Sequence, residues 1–159
     1  MTGLLMVLAI SPAYAQNEDN TAFGVVDQTG LEDVYKVSEF DEIMFQLPSG
    51  MRIERGSEYK ALMPDGTFGV SIQKVNYPST KKIAFELCKR LADSMGLPRT
   101  LVKKQNYGKA KGAQAMGLVD GKYAACVVLV FDDHQLQVVA LADPSQLETL
   151  KRFLESIKK

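Results

Sequence analysis

One stretch of this chain runs for nine residues without a charge. Lys122 is followed by YAACVVLVF, residues 123–131, a run of mostly β-branched, aromatic or small side chains. Such a run predicts a strand covered on both faces, the central strand of a sheet. Asp120-Gly121 before it is a two-residue hairpin signal and Asp132-Asp133-His134 after it is a polar turn. The neighbours in sequence are therefore expected to pair beside it antiparallel.

The remaining pattern supplies the partners. Residues 41–47 alternate, with Ile43, Phe45 and Leu47 on one face and Glu42, Met44 and Gln46 on the other, and Pro48-Ser49-Gly50 ends the run. Residues 57–63 and 67–75 flank the turn sequence Pro64-Asp65-Gly66, which predicts a second hairpin. Residues 99–106 read as a modest strand, 107–112 as a glycine-bounded loop, and 113–119 as a strand of small residues. Gly117 inside that strand signals a bulge or a close approach by something packed on it. Residues 135–141 close a three-stranded meander.

Two segments carry helical spacing instead. After Tyr77-Pro78, Ser79 or Thr80 can cap a helix whose apolar stripe is Ile83, Leu87, Leu91 and Met95, with Ala84 and Cys88 beside it; Gly96 and Pro98 stop it. Asp143 and Pro144 suit the cap and first position of a second helix, with Gln146 completing a capping box. Its buried stripe is Leu147, Leu150, Phe153, Leu154 and Ile157. Hairpin signals without βαβ alternation make the class α+β, an antiparallel sheet of about six or seven strands packed against two main helices.

Charge changes the picture by its distribution. Lysine plus arginine and aspartate plus glutamate both number 19, so no net field favours nucleic acid or an anionic membrane. Residues 18–42 nevertheless hold eight acids against Lys36, and residues 74–111 hold ten bases against Glu86 and Asp93. Solvated faces, or an acidic arm lying across the basic segment, account for this more simply than an anionic partner does. Residues 16–40 lack a clean apolar period and are expected to form an acidic, poorly ordered arm.

At the start, residues 4–10 (LLMVLAI), the break at Ser11-Pro12 and the small-x-small pattern Ala13-Tyr14-Ala15 have the form of a signal peptide over residues 1–15, although Met1, Thr2 and Gly3 carry no base. The apolar run is too short to span a bilayer. The expectation is an exported protein, periplasmic or secreted, with no membrane insertion after cleavage. Cys88 and Cys126 are the only cysteines, one on a helix and one on the central strand. They lack metal-type spacing and are either two buried thiols or a disulfide, depending on how the helix packs.

From residue 41 onward the order is an extended F-x-L-P-x-G opening (Phe45, Leu47, Pro48, Gly50), a hairpin, a helix, a glycine-bearing meander (Gly112, Gly117, Gly121) and a terminal helix ending Phe153, Leu154, Ser156 and Ile157. This order resembles the PsbP-type superfamily, which includes extrinsic photosystem subunits, a Ran-binding nuclear transport factor and many exported bacterial proteins. Met51 stands where the pattern usually has Trp. The resemblance implies a single domain over residues 41–159 with a sheet between helices, no shared catalytic residues, and action mostly by binding other proteins.

Little chemistry is suggested by the residues themselves. His134, the only histidine, lies in a turn whose Asp-x-His order offers two metal ligands, too few for a site without outside help. A nucleophilic triad would need His134 as base, and Cys126 sits in a buried strand where a thiol is inert. Glu39 and Asp41 fall in the arm, where water screens them. Lys109 and Lys111 lie among glycines without the order of a phosphate loop. The expectation is no enzyme, no metal and no cofactor. The chain is expected to be a binding or assembly module that meets another envelope protein through a sheet edge or through the loops holding Tyr107, Lys109, Lys111, Asp132, Asp133 and His134. The alternative is a carrier of a small apolar ligand, with room above Ala113, Ala115, Gly117 and Ala124. An enzyme would place His134 beside a carboxylate or nucleophile in a cleft.

Overall fold

The computed structural model describes residues 34–76 and 81–159. The leader, most of the arm and the cap at Ser79 or Thr80 lie outside the described residues. The strands are β1 (Tyr35–Phe40), β2 (Ile43–Pro48), β3 (Arg52–Arg55), β4 (Glu58–Leu62), β5 (Phe68–Val75), β6 (Lys103–Tyr107), β7 (Ala110–Val119), β8 (Lys122–Val130) and β9 (Gln135–Ala142). The helices are α1 (Lys81–Met95) and α2 (Leu147–Ser156). β1 and β2 form a separate two-stranded sheet. The other seven form one antiparallel sheet in the order β3-β4-β5-β9-β8-β7-β6. The class is α+β, as the pattern predicts.

The uncharged run is β8. It pairs antiparallel with β7 and β9, and Ala124, Ala125, Cys126, Val127, Val128 and Leu129 are buried in succession, which requires cover on both faces. It stands one place from the middle, which β9 occupies because β5 pairs along β9's far side.

The two faces bury different kinds of side chain. On one, α1 lies over β7 and β8, and the core is mostly small: Ala84, Cys88 and Ala92 on the helix, Ala113, Ala115, Ala124 and Cys126 on the sheet. The buried stripe of α1 is therefore Ala84, Cys88, Ala92 and Met95, while Ile83 is 37% exposed and Leu87 and Leu91 only half-buried. Periodicity alone places the large residues inward. A sheet face of alanines instead admits the helix backbone closely only where the helix is also small, so the leucines flank the contact. Gly117 is a close approach and not a bulge: its register with β8 is unbroken, and a Cβ there would meet Leu101 Cδ1 at 2.9 Å and Leu97 Cδ2 at 3.1 Å.

The opposite face carries the aromatic core. The β1–β2 hairpin and α2 pack there, with Ile43, Phe45, Leu47, Leu150, Phe153 and Ile157 against Phe68, Val70, Ile72, Val127, Leu129 and Val138. Tyr59, Phe45, Phe153 and Phe68 form a chain of edge-to-face contacts, with ring centroids 5.3, 5.7 and 6.3 Å apart, linking β4, β2, α2 and β5. The backbone completes the attachment. After α2 the chain pairs with Met44 of β2, and the Lys159 amide donates to the Tyr107 carbonyl of β6 at 3.0 Å.

Several local expectations are corrected. Residues 35–40, assigned to a poorly ordered arm, form β1, paired along the whole of β2, so the folded unit begins before residue 41. Residues 99–101 make a 3-10 turn and only then does β6 begin. The loop over residues 107–112 is reduced to the turn Gly108-Lys109 between β6 and β7. At α2, Pro144–Gln146 is a 3-10 turn and Asp143 makes no capping hydrogen bond. It faces Lys122 at 3.4 Å, and Gln146 reaches Thr67 and Thr149 instead.

Phe153→Ala removes the ring shared by two aromatic contacts and empties the junction of helix, hairpin and sheet. The expected loss is about 3–5 kcal/mol, measured by urea unfolding. A loss below about 1 kcal/mol would show that the junction repacks.

Candidate functional site

The turn Asp132-Asp133-His134 joins β8 to β9, and His134 is not solvated as the sequence suggests: it is 3% exposed. Its imidazole stacks on Phe131, with centroids 4.7 Å apart and planes 12° apart. Nδ1 lies 2.6 Å from Asp133 Oδ1, and Nε2 lies 2.6 Å from Asp41 Oδ2 and 3.6 Å from Glu42 Oε2. Asp41 and Glu42 come from the β1–β2 turn, 93 residues earlier in the case of Asp41. Asp41 holds φ +56°, a left-handed turn position that an aspartate tolerates better than most residues. Lys74, at the end of β5, bonds Asp41 at 3.1 Å, and Lys159 bonds Glu42 at 2.8 Å.

This constellation is balanced. Asp41, Glu42 and Asp133 supply three negative charges, and Lys74, Lys159 and an imidazolium supply three positive ones. Carboxylates only accept, so a ring with both nitrogens facing carboxylates is satisfied as the doubly protonated cation. Burial by itself pulls the His134 pKa down. The hydrogen bonds to Asp133 and Asp41 outweigh that, and the pKa stands above the ordinary histidine value. For Asp41, burial works upward, and the hydrogen bonds from His134 and Lys74 bring the carboxyl below its usual range. The hydrogen bond to His134 lowers the pKa of Asp133 as well.

Asp41, Glu42 and His134 also have the composition of a metal site, with ligand atoms within 4.8 Å of one another. Two ligands of one zinc ion sit about 3.3 Å apart when each is about 2.0–2.1 Å from the metal. The 2.6 Å between Nε2 and Asp41 Oδ2 is a hydrogen-bond distance, and Lys74 and Lys159 pair with the two carboxylates. The geometry is that of a hydrogen-bonded ion cluster.

Outside the imidazole lies an open cleft of about 420 Å³, lined by Glu42, Lys109, Phe131, Asp132, Asp133 and Lys159 among others. The fold thus brings Lys109, Asp132 and Asp133 to one opening, with His134 joined to its wall through Phe131 and Asp133. Tyr107 is 2% exposed and donates to Gln114 at 2.8 Å, which removes it from any surface. Lys111 is exposed on β7 and does not line the cleft. Glu42, Lys74, Lys159 and above all Asp41 are the residues that sequence reasoning missed. The one available signal was an aspartate in a tight turn, and it does not point to residue 134. The arrangement expected of an enzyme, His134 beside a carboxylate or a nucleophile in a cleft, is present in its carboxylate form: Asp41 and Asp133 hold the ring at the edge of the opening. Cys126 lies under α1, on the other side of the sheet from the hairpin carrying Asp41.

Cys88 and Cys126 are both fully buried as free thiols, their sulfurs 3.8 Å apart. The contact with Cys126 and burial keep Cys88 protonated, its pKa raised.

With seven antiparallel strands, a helix on one face, and a hairpin and terminal helix on the other, the fold is PsbP-like, as the order of elements suggested. It is similar to the solution structure of cyanobacterial PsbP (CyanoP) from Synechocystis sp. PCC 6803, with a TM-score of 0.54 at 10% identity, covering 81% of this chain and 94% of that one. A crystal structure from Bacteroides thetaiotaomicron VPI-5482 aligns with a TM-score of 0.47 at 12% identity over 80% of this chain. The chain spans 48% of that protein's length. No protein-family profile matches this sequence, and no curated protein matches it.

The ion cluster makes stability depend on pH in two directions. The raised His134 pKa contributes stability that is complete below about pH 6.5 and is lost as pH rises through the folded value. The lowered Asp41 pKa contributes stability present above about pH 4 and lost as pH falls through its folded value. Urea midpoints should therefore fall between about pH 6 and pH 9. Asp41→Asn, which keeps the left-handed turn, should cost about 1.5–3 kcal/mol near pH 6 and flatten that fall. A wild-type midpoint constant over this range would refute the role given to His134.

Proposed function

We propose that this chain is an exported, non-catalytic binding or assembly module that meets another protein of the cell envelope along the edge of β7. The observation that carries the proposal is the mismatch between β6 and β7. β6 pairs only with Ala110 to Gln114, and residues 115–119 continue with β8 on one side and no strand on the other among the described residues. Edge strands are normally guarded by charge. β6 carries Lys103 and Lys104, β3 carries Arg52, Glu54 and Arg55, and β1 carries Lys36 and Glu39, whereas residues 115–119 read AMGLV. Leu118 is 60% exposed and Leu101, on the neighbouring 3-10 turn, 41%. An extended segment of a partner can add there by backbone hydrogen bonds, with Leu118 as its apolar contact.

Two further observations support this over its rivals. A carrier needs room above Ala113, Ala115, Gly117 and Ala124, and that space holds α1 together with Leu97 and Leu101. An enzyme using His134 needs one ring nitrogen available, and both face carboxylates at 2.6 Å. Export rests on the leader pattern of residues 1–15.

Affinity capture of the full chain from an envelope extract, wild type against Leu118→Lys, tests the proposal. The substitution should reduce the captured partner at least about tenfold, equivalent to roughly 1.4 kcal/mol, with the urea midpoint unchanged. Capture that survives Leu118→Lys and is lost on Lys109→Glu would move the contact to the cleft and overturn the assignment to the edge.

A further inference from the structure

The only two cysteines of the chain are brought together by the fold. Cys88 of α1 and Cys126 of β8 stand 38 residues apart in sequence, and their sulfurs touch at 3.8 Å. The small core around them, Ala84, Ala92, Ala113, Ala115 and Ala124, lets the helix backbone approach the sheet. A close backbone is what a disulfide demands, since bridged Cβ atoms lie about 3.5–4.5 Å apart and the sulfurs about 2.05 Å apart. Shortening a 3.8 Å contact to a bond about 2.05 Å long asks each sulfur to move by only about 1 Å.

We infer that Cys88 and Cys126 are a disulfide site, and that oxidation staples α1 to β8. The step is thiol–disulfide exchange with a disulfide oxidant, such as oxidised glutathione or a disulfide oxidoreductase. One cysteine thiolate attacks a sulfur of the oxidant and releases one oxidant thiol; the other cysteine then displaces the second. Two protein thiols lose two protons and two electrons, the oxidant's S–S bond is reduced to two thiols, and one S–S bond forms in the protein. Both sulfurs are fully buried, so the first attack takes place when α1 lifts from the sheet. The bond then holds that helix down and restricts the unfolded chain. The inference is independent of what the domain binds.

The test uses the reduced full chain, folded and without denaturant, incubated with oxidised glutathione. Intact-mass spectrometry should show a loss of about 2 Da for one internal disulfide. Peptide mapping should join Cys88 to Cys126, and the oxidised form should melt about 5–10 °C higher than the reduced one. Cys88→Ala should show neither the mass loss nor the oxidant-dependent rise. Retention of the reduced mass, glutathione adducts or intermolecular dimers in place of the internal bond, oxidation only after full unfolding, or a lower melting temperature for the bridged form would each overturn the inference.

Discussion

The structure depends on one sheet being buried on both faces by different means. β8 is the strand on which both sides converge, and its buried run alternates between a face of Ala124, Cys126 and Val128 and a face of Ala125, Val127 and Leu129. Toward α1 the side chains are small and the stabilisation comes from close approach. Toward α2 and the hairpin they are large, and each fully buried Phe or Leu contributes about 1.5–3 kcal/mol. Neither cover is optional, because a strand this apolar with one bare face would present an aggregation surface.

The second cover is assembled from distant parts of the chain. The β1–β2 hairpin does not join the seven-stranded sheet. It is held to it by the Phe45 contacts with Tyr59 and Phe153, by the terminal backbone bridging Met44 and Tyr107, and by the ion cluster at its turn. Gln46 is tied to α2 as well: its amide donates to Ser156 at 2.7 Å, and its side-chain oxygen accepts from Arg152 at 3.1 Å. His134 is thus part of an attachment. Its hydrogen bonds, which resemble those of a catalytic imidazole in composition, fasten the hairpin turn to the β8–β9 turn.

The same division explains why the surface candidates fare differently. Lys109, Asp132 and Asp133 remain exposed because tight turns at a sheet end project outward. Tyr107 does not, because the last residue of β6 faces the core beside Ala110 and the terminal backbone closes over it. The β7 edge arises from a length difference: β7 runs ten residues and β6 five, the segment before β6 curling into a 3-10 turn.

The sequence by itself determined the α+β class, the β7-β8-β9 meander, the β4–β5 hairpin, the body of both helices and the buried stripe of α2 apart from Leu147, which is half-buried, because these rest on local period and turn chemistry. Only the tertiary structure decided which face of α1 turns inward, since that depends on the alanines it meets. It also decided that β1 pairs with β2, that β5 crosses to β9, and that Asp41 meets His134. Each of these is a contact between segments far apart in sequence, and neither partner carries a local pattern that names the other. Cys88 and Cys126 stand between the two cases: a helix and a strand were legible, and their sulfur contact had to wait for the packing that sets the distance.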